Sequence, residues 1–230
     1  MPIFYVPNIE TEHCLDEKES KHAVKVLRLE KGDKLDIIDG AGTFYTCEID
    51  DANPKKCSFY ILNSTKEQSP SVKIHLAIAP TKNLDRIEWL VEKCVEVGIH
   101  EFSFFKSFHS ERKVLRIDRL QRIAVSALKQ SQKSTLPKIN ELTNYEEFVA
   151  NRSEDILLIA NQHHGAAAIS SFSPEKKSVC VLIGPEGDFS ETEIERALQH
   201  NFKPITLGRS RLRTETAALS ACVELNLFNR

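Results

Sequence analysis

Two glycine-bearing turns in the last third of the chain constrain the fold more than any other feature. Gly184-Pro185-Glu186-Gly187-Asp188 directly follows the apolar run 179–183, and Leu207-Gly208-Arg209-Ser210-Arg211-Leu212-Arg213 directly follows Pro204-Ile205-Thr206. Each reads as strand, turn, then helix start. In α/β proteins that geometry presents backbone groups to a ligand at the carboxyl end of the sheet. The 230 residues suffice for one or two domains with full cores. A formal charge of -2 gives no global field toward nucleic acid, so any such binding must come from a local patch. The six cysteines form no C-x-x-C pair and have no histidine at ligand spacing, which fits buried, reduced thiols in a cytoplasmic protein. No apolar run approaches the length of a membrane helix, so no membrane association is expected.

The chain divides by pattern. Residues 3–6, 35–38, 43–49 and 57–62 read as short strands, with Asp39-Gly40-Ala41-Gly42 as a hairpin turn, and suggest a small β-barrel. Between them, residues 20–29 place Ala23, Val26, Leu27 and Leu29 at helical spacing. The polar stretch 63–71 is the best boundary, giving expected domains 1–68 and 72–230. Beyond it strands and helices alternate. Strands are predicted at 74–79, 101–105, 156–160, 179–183 and 204–206. Helices are predicted from Leu84 to Gly98, from 118 to 132, from the capping box Ser190-Glu191-Thr192-Glu193 through Leu198, and over 214–228. The last is apolar nearly all round, as expected of a helix buried in its own core or against a second subunit. Such alternation implies a mostly parallel sheet.

Several stretches could carry chemistry. The first turn lacks the G-K-[ST] of a P-loop and the spacing of a dinucleotide fingerprint, so an ordinary tight turn is the plain alternative. Its acidic Glu186 and Asp188 would repel a phosphate and suit an uncharged or cationic ligand. In the second, Arg209, Arg211 and Arg213 alternate, which suits oxyanion contacts, the alternative being a solvated loop. Because Thr214-Glu215-Thr216 leads straight into an apolar helix, one arginine is expected inward, with Glu215 as its partner. Residues 106–138 carry nine cations, among them Arg112, Lys113, Arg116 and Lys133, against Glu111 and Asp118. A smaller group holds Lys21, Lys25, Arg28, Lys31 and Lys34. Each could be a solvated face, but two patches on one chain favour a polyanionic partner. The histidines, including His163-His164 in a polar loop, show no metal-ligand spacing, and no metal is expected.

Together the two turns resemble the bacterial 16S ribosomal RNA (uracil-N3-)-methyltransferases of the knotted SPOUT superfamily. That family carries Ile-Gly-Pro-Glu-Gly-Gly and Leu-Gly-x-Arg-Ile-Leu-Arg-x-Glu-Thr-Ala, where this chain reads IGPEGD and LGRSRLRTETA. The likeness extends to residues 22–28, the Asp39-Gly40 turn, residues 82–98 and Gln130-Ser131-Gln132-Lys133. It departs at Asp188 for glycine, at Ser210-Arg211 for Arg-Ile, and at Ile3, where many members carry a basic residue.

The resemblance implies an α/β methyltransferase domain with a deep C-terminal trefoil knot, preceded by a PUA-like β-barrel that binds RNA. It implies a homodimer acting on 16S rRNA of the small ribosomal subunit, with S-adenosylmethionine as cofactor. By position the cofactor loops are Ala160 and Asn161; Ile183, Gly184, Pro185, Glu186 and Gly187; and Leu207, Gly208, Leu212 and Arg213. RNA contacts fall to Lys25, Arg28, Arg112, Arg116, Lys133, Arg209 and Arg211. Uracil N3 is a poor nucleophile until its proton leaves, so the site needs a cation beside O2 or O4 and a base. Arg213 is assigned the first role; Glu215 is either the base or the group that orients Arg213. The alternatives are the same scaffold acting on a ribose 2′-hydroxyl or another RNA position, a non-catalytic rRNA-binding assembly factor, and an enzyme of small nucleotides.

Overall fold

A computed structural model describes the chain except residues 113, 162–165, 173–176 and 230. His163-His164 and Lys113 therefore lie outside the described residues. The chain forms two compact units, Met1–Ser69 with Val125–Leu136, and Pro70–Ala124 with Pro137–Arg230.

In the first unit, strands β1 (Ile3–Tyr5), β2 (Lys34–Ile38), β3 (Thr43–Asp51) and β4 (Ser58–Lys66) form one sheet in that order. β1 runs parallel to β2 and the other pairs are antiparallel. Alternation along β3 sends Tyr45, Cys47 and Ile49 inward, where they meet Phe4, Leu35, Ile37 and Phe59. Among the described residues no ladder pairs β4 with β1; residues 13–15 meet β4 instead, where Leu15 N–H donates to the Cys57 carbonyl and Phe59 N–H to the His13 carbonyl. β4 also runs on through residues 63–66, which the sequence assigned to the linker. It is a polar edge strand, and edge position rather than hydrophobicity makes it a strand. The predicted helix at 20–29 starts three residues earlier and is in two parts. α1 (Glu17–Lys21), capped by Asp16, passes into a π-helical turn over His22–Val26, with Leu27 N–H bonded back to His22.

The second unit is a seven-stranded, all-parallel sheet. In chain order it contains β5 (Lys73–Ile78), α2 (Leu84–Val97), β6 (Glu101–Lys106), the first half of α3 (Ile117–Gln130, which belongs to the first unit from Val125 on), β7 (Lys138–Asn144), α4 (Tyr145–Ala150), β8 (Ile156–Ala160), β9 (Ala167–Ala168), β10 (Ser178–Ile183), α5 (Glu191–Gln199), β11 (Lys203–Thr206) and α6 (Thr214–Asn226). The spatial order is β7-β6-β5-β10-β8-β11-β9. The five predicted strands are present. β7, β9 and α4 are additional, and the two extra strands occupy the sheet edges, where a weak apolar pattern suffices. The central strands β5 and β10 are nearly wholly buried, as parallel strands covered on both faces must be.

Helix ends follow local rules. Asn83 caps α2 through Asp85 N–H, and Ser190 with Glu193 forms the predicted capping box on α5. α2 buries Ile87, Leu90, Val91, Cys94 and Val95 on one face. α6 is not enclosed all round: Ala218, Ala221, Cys222 and Leu225 are buried, whereas Thr216 and Val223 are exposed.

Candidate active site

Register decides where the turns meet. Ile183 of β10 stands opposite Ala160 of β8, and Ala160 stands opposite Ile205 of β11. Three adjacent strands thus end in one row, and the segments that follow them converge. Between them lies a cavity of about 450 Å³, a size typical of small-molecule sites. Its wall takes Ala160 and Asn161 from the first segment, Ile183 to Glu186 with Asp188 from the second, and Thr206 to Gly208 with Ser210 to Thr214 from the third. Ala217 closes it from the first turn of α6.

Hydrogen bonds lock the three segments together. Asn161 N–H donates to the Ile205 carbonyl at 3.1 Å, and the Thr214 hydroxyl donates to the Gly184 carbonyl at 3.0 Å. Asp188 N–H closes the tight turn onto the Pro185 carbonyl at 3.0 Å. Glu186 accepts from Lys82 N–H at 3.2 Å, which fixes its carboxylate at the start of α2. Beneath the turn, the Phe189 ring packs on Phe105 and Tyr145 at 6.1 and 5.8 Å.

Backbone demands explain two residues. Gly208 has φ +115, a value L side chains rarely adopt, so this turn requires glycine. Asp188 stands at φ +62, where the resembled pattern has glycine, and holds Phe189 N–H through Oδ1 at 2.8 Å. Aspartate tolerates the left-handed region better than most residues because its short side chain bonds locally. Gly187 is the one expected cofactor-loop residue outside the cavity wall. A Cβ there would come within 2.9 Å of the His109 side chain, so its small size serves packing against that loop.

The chemistry of the wall is mixed. Asn161, a residue of the wall, is 6% exposed, and its buried Oδ1 has no hydrogen-bond partner among the described residues. Arg211 and Arg213 line the wall and remain exposed, as does Arg209 outside it. No arginine of this trio is held inward. Glu215 is 7% exposed and pairs with Arg86 of α2, with 3.7 Å between Oε1 and Nε, rather than with Arg213. Its Oε2 has no hydrogen-bond partner among the described residues. Arg86 was not singled out in the sequence, since nothing local marks a single cation on a helix face. Also unforeseen in the wall are Ile205 and Thr206, at the end of β11, and Thr214 and Ala217, at the start of α6.

The basic stretch is less cationic than its composition. Arg119 pairs with Glu88, Arg122 with Asp118, Lys129 with Glu19 and Lys138 with Glu101. Arg112 donates to the Lys82 carbonyl. Lys106, Arg116 and Lys133 have no ion pair among the described residues, nor do Lys25 and Arg28 in the first unit. At the opposite end of the sheet, His75, Glu154 and Cys180 bring their ligand-type atoms within 4.8 Å. There His75 lies 2.5 Å from Glu154 and 2.8 Å from Ser103, while Arg152 adds a guanidinium, the pattern of a buried ion pair. Burial pushes the Cys180 thiol well up.

A parallel sheet with a ligand-sized, glycine-walled cavity over its carboxyl edge and arginines at the rim is the arrangement of an α/β enzyme with a small-molecule site. Residues 67–226 match the RNA methyltransferase domain family, and residues 15–62 match the RNA methyltransferase PUA domain. The chain belongs to the RNA methyltransferase family.

Among curated proteins it is 28% identical over 222 residues to "Ribosomal RNA small subunit methyltransferase E" of Bacillus subtilis, covering 89% of this chain and 85% of that one. The protein of the same name from Aquifex aeolicus is 29% identical over 210 residues, covering 90% of each. Among solved structures, a "probable rRNA-methyltransferase" from Porphyromonas gingivalis is 40% identical with a TM-score of 0.94, covering 100% and 98% of the two chains. The small subunit methyltransferase E of Neisseria gonorrhoeae, bound to S-adenosyl methionine, is 26% identical with a TM-score of 0.86, covering 99% and 97%.

Proposed function

We propose that this chain transfers a methyl group from S-adenosylmethionine to N3 of a uracil in 16S rRNA of the small ribosomal subunit. One observation carries the reading: three adjacent strand ends enclose a cavity walled by close backbone turns and by Asn161, whose buried amide oxygen has no partner among the described residues. Such a wall suits a ligand with N–H donors and a positive centre. The names of the curated relatives support the rRNA substrate, and the Neisseria structure supports the cofactor.

Ala160, Asn161, Ile183 to Gly187, Leu207, Gly208, Leu212 and Arg213 would hold the cofactor. When bound, it supplies a methyl carbon already activated by a sulfonium, so the reading includes no metal. The remaining task of the protein is to remove the N3 proton and stabilise the imidate. Arg213, exposed at the cavity wall, is the cation for a uracil carbonyl oxygen. Glu215, with one oxygen near Arg86 and the other without a partner among the described residues, is the proton acceptor. Because N3 lies on the Watson–Crick edge, the target base must be unpaired or extruded.

The reading includes the 1–68 and 72–230 domains as an RNA-binding PUA-like module and the catalytic domain, and a deep trefoil knot in the latter. The path of the chain supports the knot: β11 lies beyond β8, and α6 returns to β5 and α2. A homodimer is supported by the α6 face left open at Val223, with Leu227 exposed beyond it. No helix of the described residues is long and apolar enough to cross a membrane, and the cysteines are free, as suits work in the cytoplasm.

The test is transfer of labelled methyl to small-subunit particles from cells lacking this protein. Wild type should label the rRNA and create a reverse-transcription stop at one uridine. Arg213→Ala should slow transfer about 100-fold or more. Label without a stop, on a ribose, or no label at all would overturn the reading.

A further inference from the structure

Phe108, two residues beyond β6, is 78% exposed, the most exposed aromatic side chain among the described residues. Close by in the chain, Phe105 packs with Tyr145, Phe148 and Phe189 in a buried aromatic cluster that Phe108 does not join. The backbone beneath the exposed ring is nonetheless tied down. Glu193, buried at the start of α5, accepts from Phe108 N–H at 2.8 Å and from the Ser107 hydroxyl at 3.3 Å. Ser107 N–H donates to the Ser110 hydroxyl and Ser110 N–H to the Ser107 carbonyl, each at 3.0 Å. His109 donates from Nδ1 to the Asp188 carbonyl at 3.0 Å, because a carbonyl can only accept. Its ring meets Phe108 edge to face, with centroids 4.9 Å apart. Single exposed apolar residues are ordinary. A large ring on an immobilised turn, beside a cavity, is a prepared contact surface.

That cavity, of about 770 Å³, lies between the turn, α4 and α5. Lys106 and Arg196 line it, are exposed, and have no ion pair among the described residues. Glu146 of α4 and Gln199 of α5 add hydrogen-bond acceptors. Apart from Phe108, every side chain of the wall is polar, which does not suit an apolar protein partner. The cavity shares a wall with the cofactor site: Asp188 lines that one, and Ser190, two residues on, lines this one. Two residues span at most about 7 Å, so a strand whose target base lies at the first cavity runs past the second. A free aromatic face, two free cations and acceptors for N–H groups match one unstacked nucleotide.

We propose that Phe108 is the stacking platform for an unpaired base close to the methylated nucleotide, with Lys106 and Arg196 on the neighbouring phosphates. The proposal rests on the reading of RNA as substrate. It assigns a base-holding site in the second unit, apart from the cofactor cavity. Its aromatic and cationic parts make different predictions, because phosphate contacts set the salt dependence of affinity and stacking does not.

Binding of the full chain to a fluorescent oligoadenylate is measured between about 50 and 200 mM salt, with methyl transfer to small-subunit particles alongside. Phe108→Ala, and Phe108→Leu, which stays apolar but cannot stack, should each weaken binding about tenfold at every salt concentration. Both should raise KM for the particles and leave kcat unchanged. Phe108→Trp should keep wild-type affinity, and its indole fluorescence should be quenched on binding, with wild type, which has Trp89 alone, as the control. Lys106→Gln with Arg196→Gln should reduce the slope of log affinity against log salt by about 1.4. Melting temperature, and cofactor affinity by calorimetry, should not change in any of these, since the bonds that hold the turn do not use the replaced side chains.

Wild-type affinity in Phe108→Ala or Phe108→Leu overturns the platform, as does an unaltered salt slope in the charge variant. Lost self-association of Phe108→Ala in sedimentation, with RNA affinity kept, would place the ring at a protein contact and also overturn it. If Phe108→Ala binds and turns over like wild type while wild type methylates rRNA, the proposed function stands and the platform falls. If wild type methylates no RNA yet Phe108→Ala loses oligoadenylate affinity, the platform stands and the reaction falls.

Discussion

Replacing Glu154 with glutamine should remove a large, acid-sensitive share of the second unit's stability. Glu154 stands just before β8, with its carboxylate 2.5 Å from His75 Nδ1 and 3.6 Å from Arg152. The other ring nitrogen of His75 lies 2.8 Å from the Ser103 hydroxyl, which also accepts from Asn140. Burial alone would push the Glu154 carboxyl up. The hydrogen bond and charge of His75, with Arg152 behind them, outweigh it and hold the group at about 2 instead of 4.5. A carboxyl lowered by folding stabilises the fold above its unfolded value. That stability is lost as the pH falls, because the unfolded chain takes up the proton first. The window therefore runs from about 4.5 down to about 2. At about 1.36 kcal/mol per pH unit, the pair is worth about 3 kcal/mol to order of magnitude. Trp89, the single tryptophan, lies on α2 in the same unit, so its fluorescence follows urea unfolding there. Wild type and Glu154→Gln should differ by about 3 kcal/mol near pH 6 and converge to within about 0.5 kcal/mol near pH 2. A difference that stays constant across that range refutes the linkage and with it the charged pair.

Other consequences are as direct. Asn161→Ala removes an amide of the cavity wall and should weaken cofactor binding about tenfold by calorimetry, with little change in melting temperature. Gly208→Ala forces a side chain onto φ +115 and should cost about 1–2 kcal/mol of stability, with cofactor affinity falling in parallel. Ser190→Ala breaks the capping box of α5 and should lower stability by about 1 kcal/mol in thermal melts. An unchanged melting curve would show that Glu193, also bonded to Phe108 N–H, anchors the helix end alone.

Much of the second unit was legible because its signals are local. Ser190 with Glu193, and Gly98, mark helix ends whatever lies around them, since they satisfy or release backbone groups of their own turn. Apolar spacing along α2 likewise matches its buried face. β7 was missed because its residues show no clear alternation and it is held at an edge by β6 alone. The exposed Val26 and Leu27 were missed because a π turn shifts phase by one residue, which periodicity assumes never happens.

By itself the sequence determined most elements of the second unit, the three glycine-rich or polar segments that follow β8, β10 and β11, and the family to which they point. It could not decide that β10 lies between β5 and β8, that Ala160, Ile183 and Ile205 stand in one row, or that Glu215 faces Arg86 instead of Arg213. Those facts depend on pairing between segments far apart in the chain. Turn and cap energies act within a few residues, whereas strand order and ion-pair choice are settled only when the whole sheet packs and each buried group must find a partner.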